Sequence, residues 1–399
     1  MRISIVGTRG IPARYGGNEV CAEQIGTRLA DRGHEVTVYC RGRHGGAGDG
    51  TVGGVQRVFL PAFGRKHLST LSHTLLSTLH ASRRRPDILH CFGVGNAPLL
   101  PLFKRVGKRT VISVDGMDWR RDKWGRLAKL YLSRSAGLAV RLGDGCVTDS
   151  LEVACFYREQ FGREPLCIPN GATTVDPPDE GALREYGLGK EGYVLFVGRL
   201  VPEKGVHHLI EAFTGIETGL QLVIVGDGSG APDYLRELRS ARDPRVRFLG
   251  PIYDEALSGL FGNAYAYVQP SLVEGTSLAL AEAMAYGNCV LVSDIPENLE
   301  AVGDAGLSFE SRRGPEALKE RLADLIGKPE VVRRYRGRAL RFARERYTWE
   351  RVTDAYEQLY VRLLDGRAGE GQAQMAQVDR AHSASAGVRG LRDQARRSG

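Results

Sequence analysis

Short apolar runs recur along the chain. Each gives way to a stretch whose apolar positions repeat every three or four residues, the alternation expected of buried strands and amphipathic helices. The first run, Ile3 to Val6, ends at Gly7, and a glycine-rich loop follows before a helical pattern from about Glu19 to Ala30. Gly33-His34 turns the chain into a second strand, Glu35 to Cys40, with His34 expected in a surface turn. Further runs at Ile88 to Cys91, Thr110 to Val114 and Gly145 to Thr148 alternate with helical segments. Strand, glycine loop and helix open a doubly wound α/β domain, and runs apolar on both faces suit a parallel sheet covered on both sides. His90, at the end of such a run, reads as structural rather than catalytic.

The turn formers of Ile168 to Ala172 and Pro177-Pro178-Asp179 break this pattern and read as a linker. A second series then begins, with strands expected at Tyr193 to Val197, Leu220 to Val225, Val246 to Leu249, Ala266 to Val268 and Cys289 to Val292. Helical periodicity returns at Pro329 to Glu345 and Trp349 to Leu364. The expected fold class is α/β, two doubly wound Rossmann-like domains in series facing a central cleft. The expected boundaries are an N-terminal domain at 1–170, a linker at 171–190, a C-terminal domain at 191–346, a helix at 347–365 and a tail at 366–399. The tail has too few large apolar residues to order itself.

A length of 399 residues exceeds one ordinary core, in keeping with two domains. The net charge of +8 points to anionic partners. The cations are scattered and form no recognisable nucleic-acid module, so nucleic acid is not an expected partner. Seven cysteines, an odd number without C-x-x-C spacing, argue against both a disulfide framework and a zinc site. Met1-Arg2 leads straight into a strand without a signal peptide, and no apolar run approaches ~18 residues, so a cytoplasmic protein is expected.

The chemistry concentrates in Gln269 to Glu282, QPSLVEGTSLALAE: a strand end, a loop with Glu274 and Gly275, and a helix opening at Thr276 or Ser277. The first amides of a helix lack intrahelical partners and the dipole there is positive, which suits an anion or a hydroxyl. Glu274 and Glu282 stand eight positions apart, ~12 Å along a helix. That is wider than a glycoside-hydrolase pair, so they read as two hydroxyl acceptors. Arg199 and Lys204 follow a strand, with glycines on either side. Arg suits fork-like phosphate contact and Lys a point charge.

These motifs together resemble the retaining nucleotide-sugar glycosyltransferases of family 4. The resemblance rests on Glu274-x7-Glu282, on Gly198-Arg199-Leu200-Val201-Pro202-Glu203-Lys204-Gly205 and on Pro169-Asn170-Gly171. Gly7-Thr8-Arg9-Gly10-Ile11-Pro12 with Tyr15-Gly16-Gly17, and Val114-Asp115-Gly116, resemble a bacterial branch often described as rhamnosyltransferase-like. The similarity covers roughly residues 1 to 365. It implies the GT-B fold, with the last helix crossing back to the N-terminal domain. It also implies transfer of a hexose or deoxyhexose from a nucleotide-diphosphate sugar to a glycan, lipid-linked or small-molecule acceptor in cell-surface polysaccharide assembly.

By the same resemblance Arg199 and Lys204 stabilise the leaving diphosphate, and Glu282 accepts hydrogen bonds from the ribose. Glu274 with the amides of Gly275, Thr276 and Ser277 holds the donor sugar. Gly16 and Gly17 let backbone approach the diphosphate, and Gly250 and Ile252 frame the base. Asp115 stands where many members carry a histidine. It either orients the donor sugar beside the developing positive charge or makes an Asx turn with Gly116. No D-x-D triplet occurs, and neither a cofactor nor an essential metal is expected. The run Trp119 to Arg126 and Arg83-Arg84-Arg85 suggest an anionic membrane surface as a further partner, with a peripheral location on the inner membrane face. Three alternatives stay open: an NAD(P)-linked oxidoreductase, a sugar-nucleotide epimerase and a non-catalytic binding protein. Against the first, the opening loop is not G-x-G-x-x-G and the second strand ends in Arg41 where an NAD site wants an acid, although Arg41 suits a 2′-phosphate.

Overall fold

The computed structural model describes residues 1–13, 16–42, 50–63, 67–114, 116, 119, 125–173 and 181–366. The chain forms two compact units, one of Met1–Asn170 with the segment from Trp349, the other of Gly171–Thr348.

Unit 1 runs β1 (Arg2–Val6), α1 (Gly17–Asp31), β2 (Glu35–Arg41), β3 (Gly50–Val52), β4 (Val55–Leu60), α2 (His67–Ala81) and β5 (Ile88–Phe92). A 3-10 turn at Val94–Leu99 precedes α3 (Leu100–Val106), β6 (Arg109–Ser113), α4 (Arg126–Leu142), β7 (Gly145–Thr148), α5 (Leu151–Phe161) and β8 (Leu166–Cys167). The strands form one sheet in the order β3-β4-β2-β1-β5-β6-β7-β8, with only β3 antiparallel. Ile3 and Ile5 have no effective contact with solvent, as double coverage of a parallel sheet requires. The β3–β4 hairpin escapes the sequence reading because Gln56 and Arg57 interrupt the apolar run of Val55–Leu60, in which only Val55 and Val58 are buried.

Unit 2 runs α6 (Gly181–Tyr186), β9 (Tyr193–Val197), α7 (Val206–Thr214), β10 (Gln221–Val225), α8 (Pro232–Arg239), β11 (Val246–Gly250) and α9 (Asp254–Asn263). It continues with β12 (Ala266–Gln269), α10 (Leu278–Ala285), β13 (Val290–Ser293), α11 (Pro296–Val302), β14 (Leu307–Phe309), α12 (Pro315–Ile326) and α13 (Pro329–Arg346). Its sheet is parallel throughout, ordered β11-β10-β9-β12-β13-β14. The linker expected over 171–190 is corrected: α6 is folded into this unit and Leu183 is buried in its core, while residues 174–180 lie outside the described residues. Two turns of helix carrying one buried leucine are too short a pattern to stand out among turn formers. The tail reading falls on residues 367–399, also outside the described residues.

The last helix, α14 (Trp349–Leu364), packs on α1 and belongs to unit 1. Glu350, Asp354 and Glu357 recur at helical spacing. They meet Arg28 and Arg32 of α1 in ion pairs of 2.7 Å for Arg28–Glu350, 2.8 Å for Arg32–Asp354 and 2.6 Å for Arg32–Glu357. Partly exposed pairs contribute at most about 1 kcal/mol each, so they set register more than stability. Burial of Tyr356, Leu359, Tyr360 and Leu363 stabilises the docked helix more than the ion pairs do. His34 does more than occupy a turn: its Nε2 meets Glu357 at 2.7 Å. His90 is structural, as its neighbours dictate. Its ring nitrogens lie 2.7 Å from the Tyr360 hydroxyl and 2.8 Å from Ser113 Oγ, and burial pushes its pKa down to about 3.

Candidate functional site

In unit 2 the strand order reverses between β9 and β12, and ligands of doubly wound sheets settle outside the carboxyl ends of strands at such a point. The loop after β9 carries Gly198 to Gly205 and the loop after β12 carries Pro270 to Ser277, so the topology brings together two motifs some seventy positions apart in sequence. They are joined through backbone, since Leu272 N donates to Glu203 O at 2.8 Å. Gly205 has φ 64°, and a Cβ there would stand 2.1 Å from Pro270 O. Only glycine allows this approach.

Lys204 and Glu274 meet in a direct ion pair between largely buried side chains, 15% and 7% exposed. The same Glu274 oxygen accepts from Ser271 Oγ at 2.7 Å and from Gln269 Nε2 at 3.3 Å. Reading the sequence placed both charged residues in the site but did not pair them. It also missed what lies behind them. Gln269 Oε1 accepts from Ser277 Oγ and Tyr267 OH, each at 3.0 Å, while Gln269 Nε2 donates to Asn298 Oδ1 at 3.1 Å. Asn298 Nδ2 in turn donates to Ser293 Oγ at 2.8 Å, and Ser293 Oγ donates to Ser271 O. These polar side chains fix the loop against the sheet, because an unmade buried hydrogen bond would cost about 1–3 kcal/mol. The polar residue Gln269 at the end of a buried strand was the available sign.

Arg199 is half-buried, and its side chain makes no hydrogen bond or ion pair among the described residues. A guanidinium poised without a carboxylate beside the Lys204 loop is free to meet a phosphate. On the other side, Ser277 caps α10, its Oγ accepting from Leu280 N at 3.4 Å. The helix therefore opens where the sequence suggested, with the amides of Gly275, Thr276 and Ser277 leading into it. Glu282 sits one turn further on, and desolvation raises its carboxyl to about 7. No protein hydrogen bond answers that burial among the described residues, so the carboxylate is left ready for hydroxyl donors. Gly250 ends the edge strand β11 and its carbonyl accepts from Gly226 N at 2.9 Å. The expectation for Ile252 is corrected: its side chain is buried in the core with Leu183 and Leu260 and is not free to frame a base.

Unit 1 reverses its strand order between β1 and β5. The loop from β1 is tied down by the first turns of α1: Arg9 N donates to Glu19 Oε1 at 2.8 Å and Ala13 N to Glu23 Oε2 at 2.7 Å. Gly16 is the N-cap of α1, where a Cβ would stand 2.3 Å from Glu19 Oε2, and Gly17 begins the helix. Asp115 lies outside the described residues. Val114 before it is buried, with its N–H on Val147 O at 2.8 Å. Asn18, Ser113, Thr148, Asp149 and Asn170 line a small pocket in this unit, so the Pro169-Asn170-Gly171 turn contributes a polar side chain here. Arg41 gives one N–H to Thr70 Oγ1 at 3.0 Å. Of the basic-aromatic run expected at a membrane, residues 120–124 lie outside the described residues. Trp119 is corrected to a packing role, its ring 5.8 Å from that of Phe156 and 6.2 Å from that of Tyr157. Arg84 is half-buried and donates to Gln56 Oε1 at 2.5 Å at the surface.

Two family models match the chain, Glycosyltransferase Family 4 over residues 15–175 and Glycosyl transferases group 1 over residues 182–341. The chain is 29% identical to a glycogen synthase of Mycobacterium tuberculosis, covering 94% of this chain and 97% of that protein. It is 30% identical to the alpha-D-kanosaminyltransferase of Streptomyces kanamyceticus, covering 68% and 75% respectively. Among solved structures, the sucrose-phosphate synthase of Thermosynechococcus elongatus superposes with a TM-score of 0.80 at 20% identity, over 92% of this chain and 99% of that one. The last likeness shows the two-unit fold.

Proposed function

Because the chain belongs to glycosyltransferase family 4, and is therefore a nucleotide-sugar glycosyltransferase, we propose that it transfers a hexosyl or deoxyhexosyl group with retention and without a bound metal. The acceptor in this reading is a glycan, a lipid-linked sugar or a small molecule of surface-polysaccharide assembly, reached from the cytoplasmic side. Family membership sets aside the oxidoreductase, epimerase and binding-protein readings. One observation carries the proposal: the backbone joint between the Arg199–Lys204 loop and the Glu274–Ser277 loop at the β9/β12 reversal. Phosphate ligands, sugar ligands and the ribose acceptor Glu282 are thereby assembled on one rigid edge.

In the resting site Lys204 is held by Glu274, so donor binding exchanges partners. The diphosphate takes Lys204 and Arg199, and the freed Glu274 carboxylate accepts a hydroxyl of the sugar beside the Gly275 to Ser277 amides. As the bond from the anomeric carbon to the diphosphate oxygen breaks, the two cations meet the growing charge, which is why no metal is needed. The acceptor oxygen bonds to the same face of that carbon. Its proton passes to the departing phosphate oxygen, so no strong protein base is required. Thermal-shift screening against UDP, GDP, ADP and dTDP, followed by NMR of the product's anomeric configuration, tests this reading. An inverted product would overturn the retaining assignment.

Ribose hydroxyls donate to the ionised form of Glu282, whose carboxyl starts near 7. Nucleoside diphosphate binding is therefore expected to weaken as pH falls through that value, approaching about tenfold per pH unit well below it, and to release a proton. Calorimetry in buffers of different ionisation enthalpy reads both effects. Glu282→Gln should remove the dependence while the ligand's own phosphate titration remains. For Asp115 the carboxylate reading expects Asp115→Asn to keep donor affinity and lower kcat by about 30-fold, near 2 kcal/mol. Wild-type turnover in that variant leaves only the Asx turn.

A further inference from the structure

Among the described residues eleven large apolar side chains are exposed, and seven of them stand on or beside two helices of unit 1, a cluster and not scatter. Both helices, α2 and α4, pack against the Val94–Leu99 turn. On α4 the exposed residues are Leu127, Leu130 and Tyr131, positions i, i+3 and i+4, with Leu127 84% accessible. The Tyr131 hydroxyl is tied to Gly95 O at 2.7 Å. On α2 they are Leu68, Leu75 and Leu79, one helical stripe interrupted only at Ser72. Ser72 Oγ accepts from Phe63 N at 2.9 Å and donates to Phe63 O at 2.8 Å, which anchors the exposed Phe63 at that gap.

Within the described helices and turn of this face the charges have one sign. The helices α2, α3 and α4 and the Val94–Leu99 turn contain no aspartate or glutamate. Exposed cations nonetheless stand there and just past α2: Arg83, Arg105, Arg126 and Arg134. Exposed apolar side chains on helices whose charged residues are all cations match one environment, in which leucines enter the headgroup–acyl boundary while guanidinium groups meet phosphates. We propose that this face of unit 1 docks on an anionic phospholipid bilayer. The surface keeps Arg83 and Arg126 of the basic segments that suggested a membrane in the sequence, but its apolar part comes from α2, α4 and Phe63 and not from Trp119, which packs against Phe156 and Tyr157.

The test is co-sedimentation of the full chain with phosphatidylcholine vesicles, with and without phosphatidylglycerol. Binding is expected only to the anionic vesicles and is expected to weaken with salt. The pairs Leu127→Ser with Leu130→Ser, and Phe63→Ser with Leu68→Ser, should each lower partition by at least about tenfold. Arg126→Ala and Arg134→Ala should each lower it by about fivefold. All these side chains are exposed and outside the donor site, so melting temperature and turnover on a water-soluble acceptor should stay at wild-type values. That readout separates failure of this surface from failure of the transfer reading. Equal binding to neutral vesicles, wild-type partition in both apolar pairs, or no sedimentation at all overturns the proposal. Self-association abolished by the apolar pairs, without lipid binding, would overturn it in favour of a second copy of the chain.

Discussion

Lys204→Ala should lower kcat/KM by roughly 100-fold or more, because a cation that meets charge as it grows on the leaving diphosphate acts mainly in the transition state. Arg199→Ala should cost a similar factor. The two variants should differ in stability. Arg199 has no protein partner among the described residues, so its removal leaves the melting temperature unchanged. Lys204 is the counter-charge of a largely buried Glu274, and its loss should cost about 2 kcal/mol. The figure falls below that for a fully buried pair because Ser271 and Gln269 still donate to Glu274. Adding Glu274→Gln should restore the stability of Lys204→Ala without restoring turnover. Thermal melts and steady-state kinetics on the four proteins check this, and full turnover in Lys204→Ala would remove the residue from the mechanism.

Glu274→Gln alone should divide donor from product. The amide cannot replace a charged acceptor for the sugar hydroxyl, so kcat/KM with the nucleotide sugar should fall by about tenfold to 100-fold, the equivalent of a charged hydrogen bond. The substitution also releases Lys204 from its resting partner. Free nucleoside diphosphate should therefore bind at least as tightly as to wild type, and up to about fivefold tighter if freeing the ammonium contributes about 1 kcal/mol. Calorimetry with the diphosphate and kinetics with the sugar nucleotide read the two sides separately. Equal weakening of both ligands would show that Glu274 and Lys204 do not exchange partners.

Much of this architecture is visible in the chain itself. Strands such as Tyr193–Val197 and Gly145–Thr148 are buried on both faces and so read as unbroken apolar runs. The β3–β4 hairpin, whose apolar run is broken by Gln56 and Arg57, and β14, only three residues long, lack that signature. In the site, Arg199, Lys204, Glu274 and Glu282 stand out because charge beside glycine at a strand end is chemically conspicuous. Gln269, Asn298 and Ser293 do not, since their importance lies in mutual hydrogen bonds that exist only once β12, β13 and α11 are side by side. Ile252 shows the converse error. A position near a site was read as part of it, and packing in the core claimed the side chain instead.

The placement of α14 bears on the order in which the protein can be completed. Residues 1–170 leave the ribosome before unit 2, yet one face of their sheet is covered by α14, residues 349–364, made after unit 2. Until then His90 lacks its Tyr360 partner and Arg28 and Arg32 lack their carboxylates. Residues 1–170 expressed alone would carry an unsatisfied apolar face. The same residues fused to 349–366, or given that helix as a separate peptide, would have every contact described for the unit. Unit 1 can thus be completed only after unit 2 has been made, and a truncation within α14 acts as a lesion of unit 1.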